Sequence, residues 1–180
     1  MVKALPLQDV TVVSLENAAT APLCSRNLAD LGARVIRVER PEGEFARTID
    51  NVLGAWSSND LWVNASKQDV TLNLKDPRAA DILYRLVERA DILLENLKPG
   101  VAQQVGARYE ILCEKNPRLV YCHIAGYGQD GPYRNRKAYD YIIQGETGLI
   151  ELTGTPESPA RVGAGVSDTV AALMLASTRS

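Results

Sequence analysis

The feature of this sequence that most restricts its fold is an alternation of short apolar runs with helix-like segments. Residues 10–15 and 33–39 are rich in β-branched side chains, and residues 69–74 alternate apolar with polar positions. Residues 91–95 and 119–124 add two further apolar runs of strand length. Because strands separated by helices pair in parallel through right-handed crossovers, the pattern predicts an α/β fold. We expect a Rossmann-like, mostly parallel sheet with flanking helices.

The segments between the predicted strands carry helix start and stop signals. Residues 21–31 form a helical stretch, and Gly32 is the expected C-terminal cap because it can adopt the left-handed conformation. Asp76 and Pro77 together mark a helix start, with Asp as N-cap and Pro in the first turn. Residues 43–66 show no clear period and predict a long excursion from the sheet.

Charge and hydropathy exclude several classes of protein. The 20 basic residues are scattered and balanced by 22 acidic ones, for a net charge of −2, so we expect no nucleic-acid partner. No apolar stretch approaches the roughly 20 residues that span a bilayer, and the N-terminus lacks the apolar run of a signal peptide. We therefore expect a cytoplasmic protein without a membrane partner.

The cysteines and the single histidine predict neither a disulfide framework nor a metal site. Cys24, Cys113 and Cys122 are widely spaced, and no Cys-x-x-Cys motif is present. We expect buried free thiols. His123 lies within the apolar fifth strand and is expected to be a core histidine with its hydrogen bonds satisfied.

Ligands of parallel sheets bind beyond the carboxyl ends of the strands, so the loops that follow the strands are the segments to search. After the first strand, residues 16–22 are mostly small and lead into a helix N-terminus, where backbone amides favour a phosphate. Glu39 and Arg40 end the second strand, and residues 95–100 follow the fourth. Further cations lie in other loops, at Lys67, Lys75 and Lys137. A nucleotide with several phosphates fits this mixture, although each cation taken alone is more simply a solvated surface charge.

An NAD(P)-binding domain is the main competing interpretation of such a sheet. The acidic Glu39 at the end of the second strand favours it. However, the first turn reads N-A-A-T-A-P and lacks the glycines of G-x-G-x-x-G, and no P-loop is present. Without those glycines the backbone cannot approach a pyrophosphate in the dinucleotide manner.

Seven segments, in the same order along the chain, resemble the class III coenzyme A transferases of the CaiB/BaiF, formyl-CoA transferase-like type. They are residues 28–41, 70–75, 95–100, 116–121, 126–132, 138–140 and 162–168. The resemblance runs from about residue 5 to residue 176. One such segment would be a weak signal, whereas seven in family order are specific.

The resemblance implies that Asp168 is the catalytic nucleophile. In the family this carboxylate attacks the donor acyl-CoA thioester and gives a mixed anhydride and CoA thiolate. The thiolate then makes an aspartyl-CoA thioester, and the acceptor carboxylate repeats the exchange, which is covalent catalysis. Local sequence alone favours a different role, because an aspartate that follows residues 163–165 at a helix start is usually an N-cap.

The resemblance also implies a set of CoA contacts, carried over by matching position. They are Ala19, Thr20, Arg40, Leu72, Asn73, Leu74, Lys75, Asn96, Leu97, Lys98, Lys137, Ala138, Tyr139 and Asp140. Arg40 falls near the adenosine phosphate, residues 72–75 beside the adenine, and residues 137–140 near the pantetheine or thioester. Gln104 stands where members often have an arginine, so one expected cation is missing. CoA and acyl-CoA are substrates here, and no permanently bound cofactor is expected.

The resemblance leaves two alternatives within the superfamily. Racemases use a histidine beside the aspartate of the Ala-Tyr-Asp motif, but Tyr139 stands there and its phenol is a poor base at neutral pH. A non-catalytic, truncated member or folding unit is the other. We expect residues 1–180 to be an N-terminal portion of the large domain, cut short within its last helix and without the small domain and C-terminal return. Acyl-CoA, a small carboxylic acid and a second, interlocked copy are the implied partners.

Overall fold

A five-stranded parallel sheet forms the centre of the chain, in a computed structural model that describes residues 4–54 and 56–177. Its strands are β1 (Thr11–Leu15), β2 (Arg34–Glu39), β3 (Gln68–Thr71), β4 (Ile92–Glu95) and β5 (Val120–His123). They are ordered β3-β2-β1-β4-β5, and every neighbouring pair is parallel. The predicted α/β fold with a parallel sheet is confirmed.

The order of the strands reverses between β1 and β4, which lie side by side at the centre of the sheet. Val13 pairs with Ile36 of β2 on one side and with Leu93 of β4 on the other. The chain therefore leaves β1 and β4 in opposite directions, and the crevice beyond their carboxyl ends is the place where such sheets bind ligands.

Eight helices and one hairpin accompany the sheet in the described part of the chain. The helices are α1 (Thr20–Asp30), α2 (Ser58–Asn64), α3 (Pro77–Val87), α4 (Val101–Gln104), α5 (Tyr109–Lys115), α6 (Asp140–Glu146), α7 (Leu149–Leu152) and α8 (Val166–Ser177). The hairpin pairs β6 (Gly154–Thr155) with β7 (Ser158–Pro159), and a 3₁₀ turn spans Phe45–Thr48. None of these helices is both long and apolar enough to cross a membrane.

The sheet separates two apolar clusters. On one face Val12 and Leu94 pack with Leu28 of α1 and Ala172 of α8. On the other face Val13 and Leu93 pack with side chains of α3 and α5, among them Leu83 and Leu112. Because both faces are covered, the central strands are apolar at consecutive positions rather than at alternate ones.

Two of the predicted helix boundaries are confirmed, one by its hydrogen bond and the other by its backbone conformation. The Asp76 side chain accepts a hydrogen bond from the amide of Arg78 at 3.0 Å, as the N-cap of α3 does. Gly32 follows α1 with φ of +106°, and a Cβ there would lie 2.6 Å from Cβ of Leu5. A side chain at position 32 would therefore meet both strain and a clash.

The predicted excursion over residues 43–66 does leave the sheet, and it has secondary structure of its own, since it holds the 3₁₀ turn and α2. The segment is fixed to β2 by charged side chains. Arg37 contacts Asp60 at 3.4 Å and Asp69 at 2.6 Å, while Arg47 bonds Glu39 at 2.7 Å. These elements are too short to produce a readable apolar period.

The predicted third strand is too long by three residues, because β3 ends at Thr71 rather than at residue 74. Asn73 turns the chain instead. Its side-chain oxygen accepts from the amide of Lys75 at 3.2 Å, and its carbonyl accepts from the amide of Asp76 at 2.8 Å. Asparagine favours such turns because its amide can replace backbone partners.

Candidate active site

The loops that carry the proposed CoA contacts all follow strands, so they meet at the carboxyl edge of the sheet. Ala19 and Thr20 follow β1, Arg40 follows β2, and residues 72–75 follow β3. Residues 96–98 follow β4, and residues 137–140 close the long connection after β5. The topology places these segments at one edge of the sheet, and their individual contacts differ.

Asp168 lies at this edge because α8 packs along α1. It is the third residue of α8 rather than its N-cap, so the capping role that local sequence favours is wrong. Thr20, the first residue of α1, lies beside the Asp168 carboxylate, where its hydroxyl lowers the pKa of that carboxylate while the charge of Asp140 raises it. Asp168 lies more than 140 residues after the β1–α1 loop in the sequence, and the packing of α8 along α1 brings its carboxylate to that loop.

The environment of Asp168 raises its pKa above the ordinary value. Partial burial is the main cause, the negative charge of Asp140 adds to it, and the hydrogen bond from Thr20 opposes both. A carboxylate with a raised pKa is more basic, and its oxygen is correspondingly a better nucleophile toward a carbonyl carbon.

The N-terminus of α1 lies beside this carboxylate. Its N-cap, Ala19, has no side chain that can accept from the first amides of the helix, and no side-chain cap replaces it in the described chain. The helix dipole favours a negative charge at this point, although Ala21 is buried and Pro22 has no amide hydrogen. Charge that develops on a thioester oxygen or on a leaving thiolate near Asp168 would be stabilised here.

The loop between β1 and α1 is held from the neighbouring strand. Asn96 accepts a hydrogen bond from the amide of Asn17 and donates one to its carbonyl, both at 2.8 Å. Ala18 adopts φ of +61°, a left-handed conformation, and its amide donates to Glu44 at 3.1 Å. A non-glycine residue keeps such a conformation only where its surroundings enforce it. The Asn96 side chain, expected to contact CoA, is thus already engaged with the protein.

A buried ion pair stabilises the same loop. Lys67 contacts Glu16 at 2.6 Å, with side chains that are 1% and 0% exposed. Lys67 also donates to the carbonyl of Pro22 at 2.8 Å and to Asn64 at 2.7 Å, and Ser25 donates to Glu16 at 2.6 Å. Burial lowers the pKa of Lys67, while the charge of Glu16 opposes that shift. Lys67 is therefore neither a solvated surface charge nor a free cation for a phosphate.

The start of α8 is held by α6. Asp140 accepts a hydrogen bond from the amide of Ser167 at 2.7 Å and another from Gln144 at 2.6 Å. Gln144 is fully buried, and its oxygen accepts from the amide of Val162 at 2.9 Å. Asp140, assigned above as a CoA contact, is thus part of the bonding that fixes the helix carrying Asp168.

The remaining proposed contacts fall into three groups. Leu72 and Leu74 are half-buried and pack against the apolar cluster shared with α3. Ala138 packs against Gly126, where a Cβ would lie 1.8 Å from its own. The other members are exposed, namely Arg40, Asn73, Lys75, Lys98, Lys137 and Tyr139. Arg40 donates to the carbonyl of Gly43 at 2.5 Å, so its guanidinium is already partly occupied.

A cleft of about 300 Å³ opens beyond the carboxyl ends of β4 and β5. Two of the proposed CoA contacts, Leu97 and Lys98, line it, together with Arg108 and Arg134. His123 also lines the cleft, so it is not the enclosed core histidine expected from the sequence, although Glu95 does satisfy one of its ring nitrogens. Among the described residues, no cluster of three His, Cys, Asp or Glu side chains could hold a metal ion.

Sequence reasoning missed several residues that shape this edge. Glu16 and Glu95 are buried carboxylates that directly follow apolar strands, and that position is the one signal they carry. Gln144 and Glu44 carry none, since their partners are set by the packing of separate elements. Arg108 stands four positions after Gln104 and supplies a cation to the cleft.

Comparisons with known proteins agree with this fold. The family model for CoA-transferase family III matches residues 7–178. An acetyl-CoA:oxalate CoA-transferase of Acetobacter aceti is 39% identical over 160 residues, which are 88% of this chain and 41% of that protein. A human succinyl-CoA:glutarate CoA-transferase is 38% identical over 167 residues, which are 91% of this chain and 38% of that protein.

A solved structure shares the fold as well. A CAIB/BAIF family protein from Brucella suis superposes with a TM-score of 0.88 at 33% identity, over 96% of this chain and 49% of that one. The chain therefore belongs to CoA-transferase family III. It spans about two fifths of the length of the curated relatives described here.

Proposed function

We propose that this protein transfers CoA from an acyl-CoA thioester to a carboxylic acid, with Asp168 as the nucleophile. The observation that carries the proposal is the position of Asp168. It is a half-buried carboxylate beside Thr20 at the N-terminus of α1, at the ligand-binding edge of the sheet. Family membership supplies the reaction class, and this geometry supplies a nucleophile and a positive dipole for it.

The proposed chemistry needs one carboxylate of the protein and four acyl-transfer steps. An Asp168 oxygen bonds to the thioester carbonyl carbon as the C–S bond breaks, which gives an anhydride and CoA thiolate. The thiolate attacks the aspartyl carbonyl, so the donor acid leaves and an aspartyl-CoA thioester remains. The acceptor carboxylate displaces the thiolate to form a second anhydride. The thiolate then attacks the acceptor carbonyl, which frees Asp168 and gives the new acyl-CoA.

Two stretches of chain connect the surroundings of Asp168 with the cleft, and they support a course for CoA from Asp168 to the cleft. Residues 96–98 begin at the bonds to Asn17 and enter the cleft at Leu97 and Lys98. Residues 134–140 line the cleft at Arg134 and end at Asp140, beside the start of α8. We propose that the thioester lies at Asp168 and the phosphates lie among the cations of the cleft.

The hydrogen bonds that the Glu39 carboxylate already accepts within the protein disfavour the competing NAD(P)-binding function. In dinucleotide-binding sheets an acidic residue at this position bonds a ribose hydroxyl. Here Glu39 is buried, accepts from the amide of Glu44 at 2.7 Å, and bonds Arg47 through both of its oxygens. Its acceptor capacity is taken up by the protein, so a ribose would find no free partner.

Trapping with hydroxylamine tests the nucleophile directly. Incubating the complete protein with succinyl-CoA and hydroxylamine should convert Asp168 to a hydroxamate, located by peptide mass spectrometry. The Asp168→Asn variant should give no adduct and lose turnover. The exposed Asp81 of α3 provides a matched carboxylate, and Asp81→Asn should behave as wild type. Full turnover in Asp168→Asn, or a hydroxamate elsewhere, would refute the assignment.

Substrates and assembly belong to the same proposal. The two curated relatives described above act, by their names, on oxalate and on glutarate, so small dicarboxylates are the acceptors to test first.

We propose a homodimer, supported by the outward face of α8, where Val170 and Leu173 are about half exposed. Sedimentation analysis of the complete protein should give twice the chain mass, and a monomer would overturn that part.

A further inference from the structure

Glu95 holds the ring of His123 in a fixed orientation at the mouth of the cleft. Nδ1 of His123 lies 2.5 Å from Oε1 of Glu95, and Glu95 is 2% exposed. Glu95 also accepts hydrogen bonds from the hydroxyl of Tyr121 at 3.1 Å and from the amide of Leu97 at 2.7 Å. A carboxylate held by three donors is an acceptor, so Nδ1 carries the proton.

The other ring nitrogen of His123 is available to a ligand. The imidazole is 21% exposed and lines the cleft, and Nε2 has no hydrogen-bond partner among the described residues. With Nδ1 protonated, Nε2 of the neutral ring can only accept a hydrogen bond. In the imidazolium form it becomes a donor.

The charges around this nitrogen fit an anionic ligand. The cations that line the cleft are Lys98, Arg108 and Arg134, and its acids are Glu95 and Glu110. Glu110 pairs with Arg108 at 3.3 Å, whereas Lys98 and Arg134 have no acidic partner within the described chain. Tyr109 and Tyr121 are the remaining titratable groups of the lining. Lys98 and Arg134, the two cations without an acidic partner in the described chain, thus line the same cleft as Nε2 of His123.

We propose that His123, oriented by Glu95, is an anion-binding residue of this cleft, whose Nε2–H donates to a phosphate oxygen of bound CoA. This inference rests on the proposed function, because CoA supplies the phosphate. Glu95 acts as a positioning residue that fixes the ring and favours its protonated form. The hydrogen bond to Glu95 raises the pKa of His123, while burial of the ring opposes that shift.

Coupling to a proton makes the inference measurable. The phosphate contact exists only with the imidazolium, so CoA affinity should fall as pH rises through the pKa of His123. A hydrogen bond between charged groups changes affinity by about tenfold to a hundredfold. His123→Gln keeps a donor that does not titrate, so the dissociation constant should lose this pH dependence. Glu95→Gln keeps the acceptor but removes the charge, so the fall should move to lower pH.

Calorimetric titration of the complete protein with CoA and with pantetheine, from pH 5.5 to 9 in about half-unit steps, separates the outcomes. We expect His123→Ala to weaken CoA about tenfold or more at low pH and to leave pantetheine, which lacks phosphates, unchanged. Comparison with 3′-dephospho-CoA identifies which phosphate is contacted. Circular dichroism melts check that each variant is folded.

Equal CoA affinity and equal pH dependence in wild type and His123→Ala would overturn the inference. So would an equal loss for CoA and pantetheine. If the wild type traps the Asp168 hydroxamate while His123→Ala binds CoA normally, the transferase proposal stands and this inference alone fails. If the wild type binds no CoA at any pH, both fail together.

Discussion

The side chain of Asn96 spans both backbone groups of Asn17, with two hydrogen bonds of 2.8 Å. These residues follow β4 and β1, the neighbouring strands between which the strand order reverses. A side-chain clasp therefore joins the two segments that leave these strands, at the crevice in which α/β sheets bind ligands, and it holds the loop that leads to Thr20.

Removing this clasp should loosen the loop that leads to Asp168. Asn96→Ala loses both bonds, and at about 0.5–1.5 kcal/mol each we expect the free energy of unfolding to fall by about 1–3 kcal/mol. Turnover should fall as well, since Thr20 loses its support. Urea denaturation and steady-state kinetics measure the two effects. Asn17→Ala is the matched control, because both bonds use the backbone of Asn17, and a loss as large as that of Asn96→Ala would contradict the clasp.

Thr20 should set the acid limb of the pH–rate profile. The nucleophile is the Asp168 carboxylate, so kcat/KM should fall as pH drops through the pKa of Asp168, which burial raises. The hydrogen bond from Thr20 lowers that pKa. Thr20→Val removes the bond, raises the pKa further and should shift the acid limb to higher pH. Thr20→Ser keeps the hydroxyl and should leave the limb in place. A shift of the same size in both variants would exclude this role for the hydroxyl.

The buried pair of Lys67 and Glu16 should show strong coupling in stability. Lys67→Met leaves the Glu16 charge unpaired in a fully buried position, and we expect a loss of about 3–5 kcal/mol in the free energy of unfolding. Adding Glu16→Gln removes the unpaired negative charge of Glu16, so the double variant should recover part of the lost free energy of unfolding. A double-mutant cycle from urea denaturation measures the coupling. Strictly additive losses would mean that the two charges do not interact.

Gly126 should tolerate no side chain, for a purely steric reason. A Cβ at this position would lie 1.8 Å from Cβ of Ala138, so Gly126→Ala should force the two ends of the 126–138 loop apart. Overpacking of this kind costs about 1–3 kcal/mol. Trypsin should then cleave faster at Arg134 inside the loop. The matched control is Gly128→Ala, whose Cβ would meet no atom closer than 3.7 Å. Equal cleavage rates in the two variants would refute the contact.

The parts of the fold that depend on neighbouring residues were predictable from the sequence. β1 and β2 hold apolar residues at consecutive positions, Val12-Val13 and Val35-Ile36, because both faces of the sheet are covered, and such pairs are readable without a structure. The cap at Asp76 and the left-handed turn at Gly32 are equally local, since each is set by the chain within a few residues, whereas the close approach of Leu5 to Gly32 is not. Family resemblance added Asp168, whose local sequence by itself favours a cap.

The parts that depend on distant contacts were not predictable. Lys67 and Glu16 are 51 residues apart, and nothing in the sequence near Lys67 indicates that it pairs with a buried carboxylate. His123 was expected in the core because its neighbours in β5 are apolar. Its carboxyl-terminal position in the strand instead brings the ring to the cleft, where Glu95 is 28 residues away. In each case the partner is set by how strands and helices assemble.

Both tryptophans of the chain lie in the segment between β2 and β3, and Trp56 and Trp62 are 55% and 51% exposed. The tryptophan fluorescence of this chain therefore originates outside the two apolar clusters. An emission change during denaturation reports first on the detachment of α2 and its surroundings from the edge of the sheet. A spectroscopist who wishes to follow the sheet itself needs a second probe, such as far-ultraviolet circular dichroism, and a difference between the two transitions would measure how independently that segment melts.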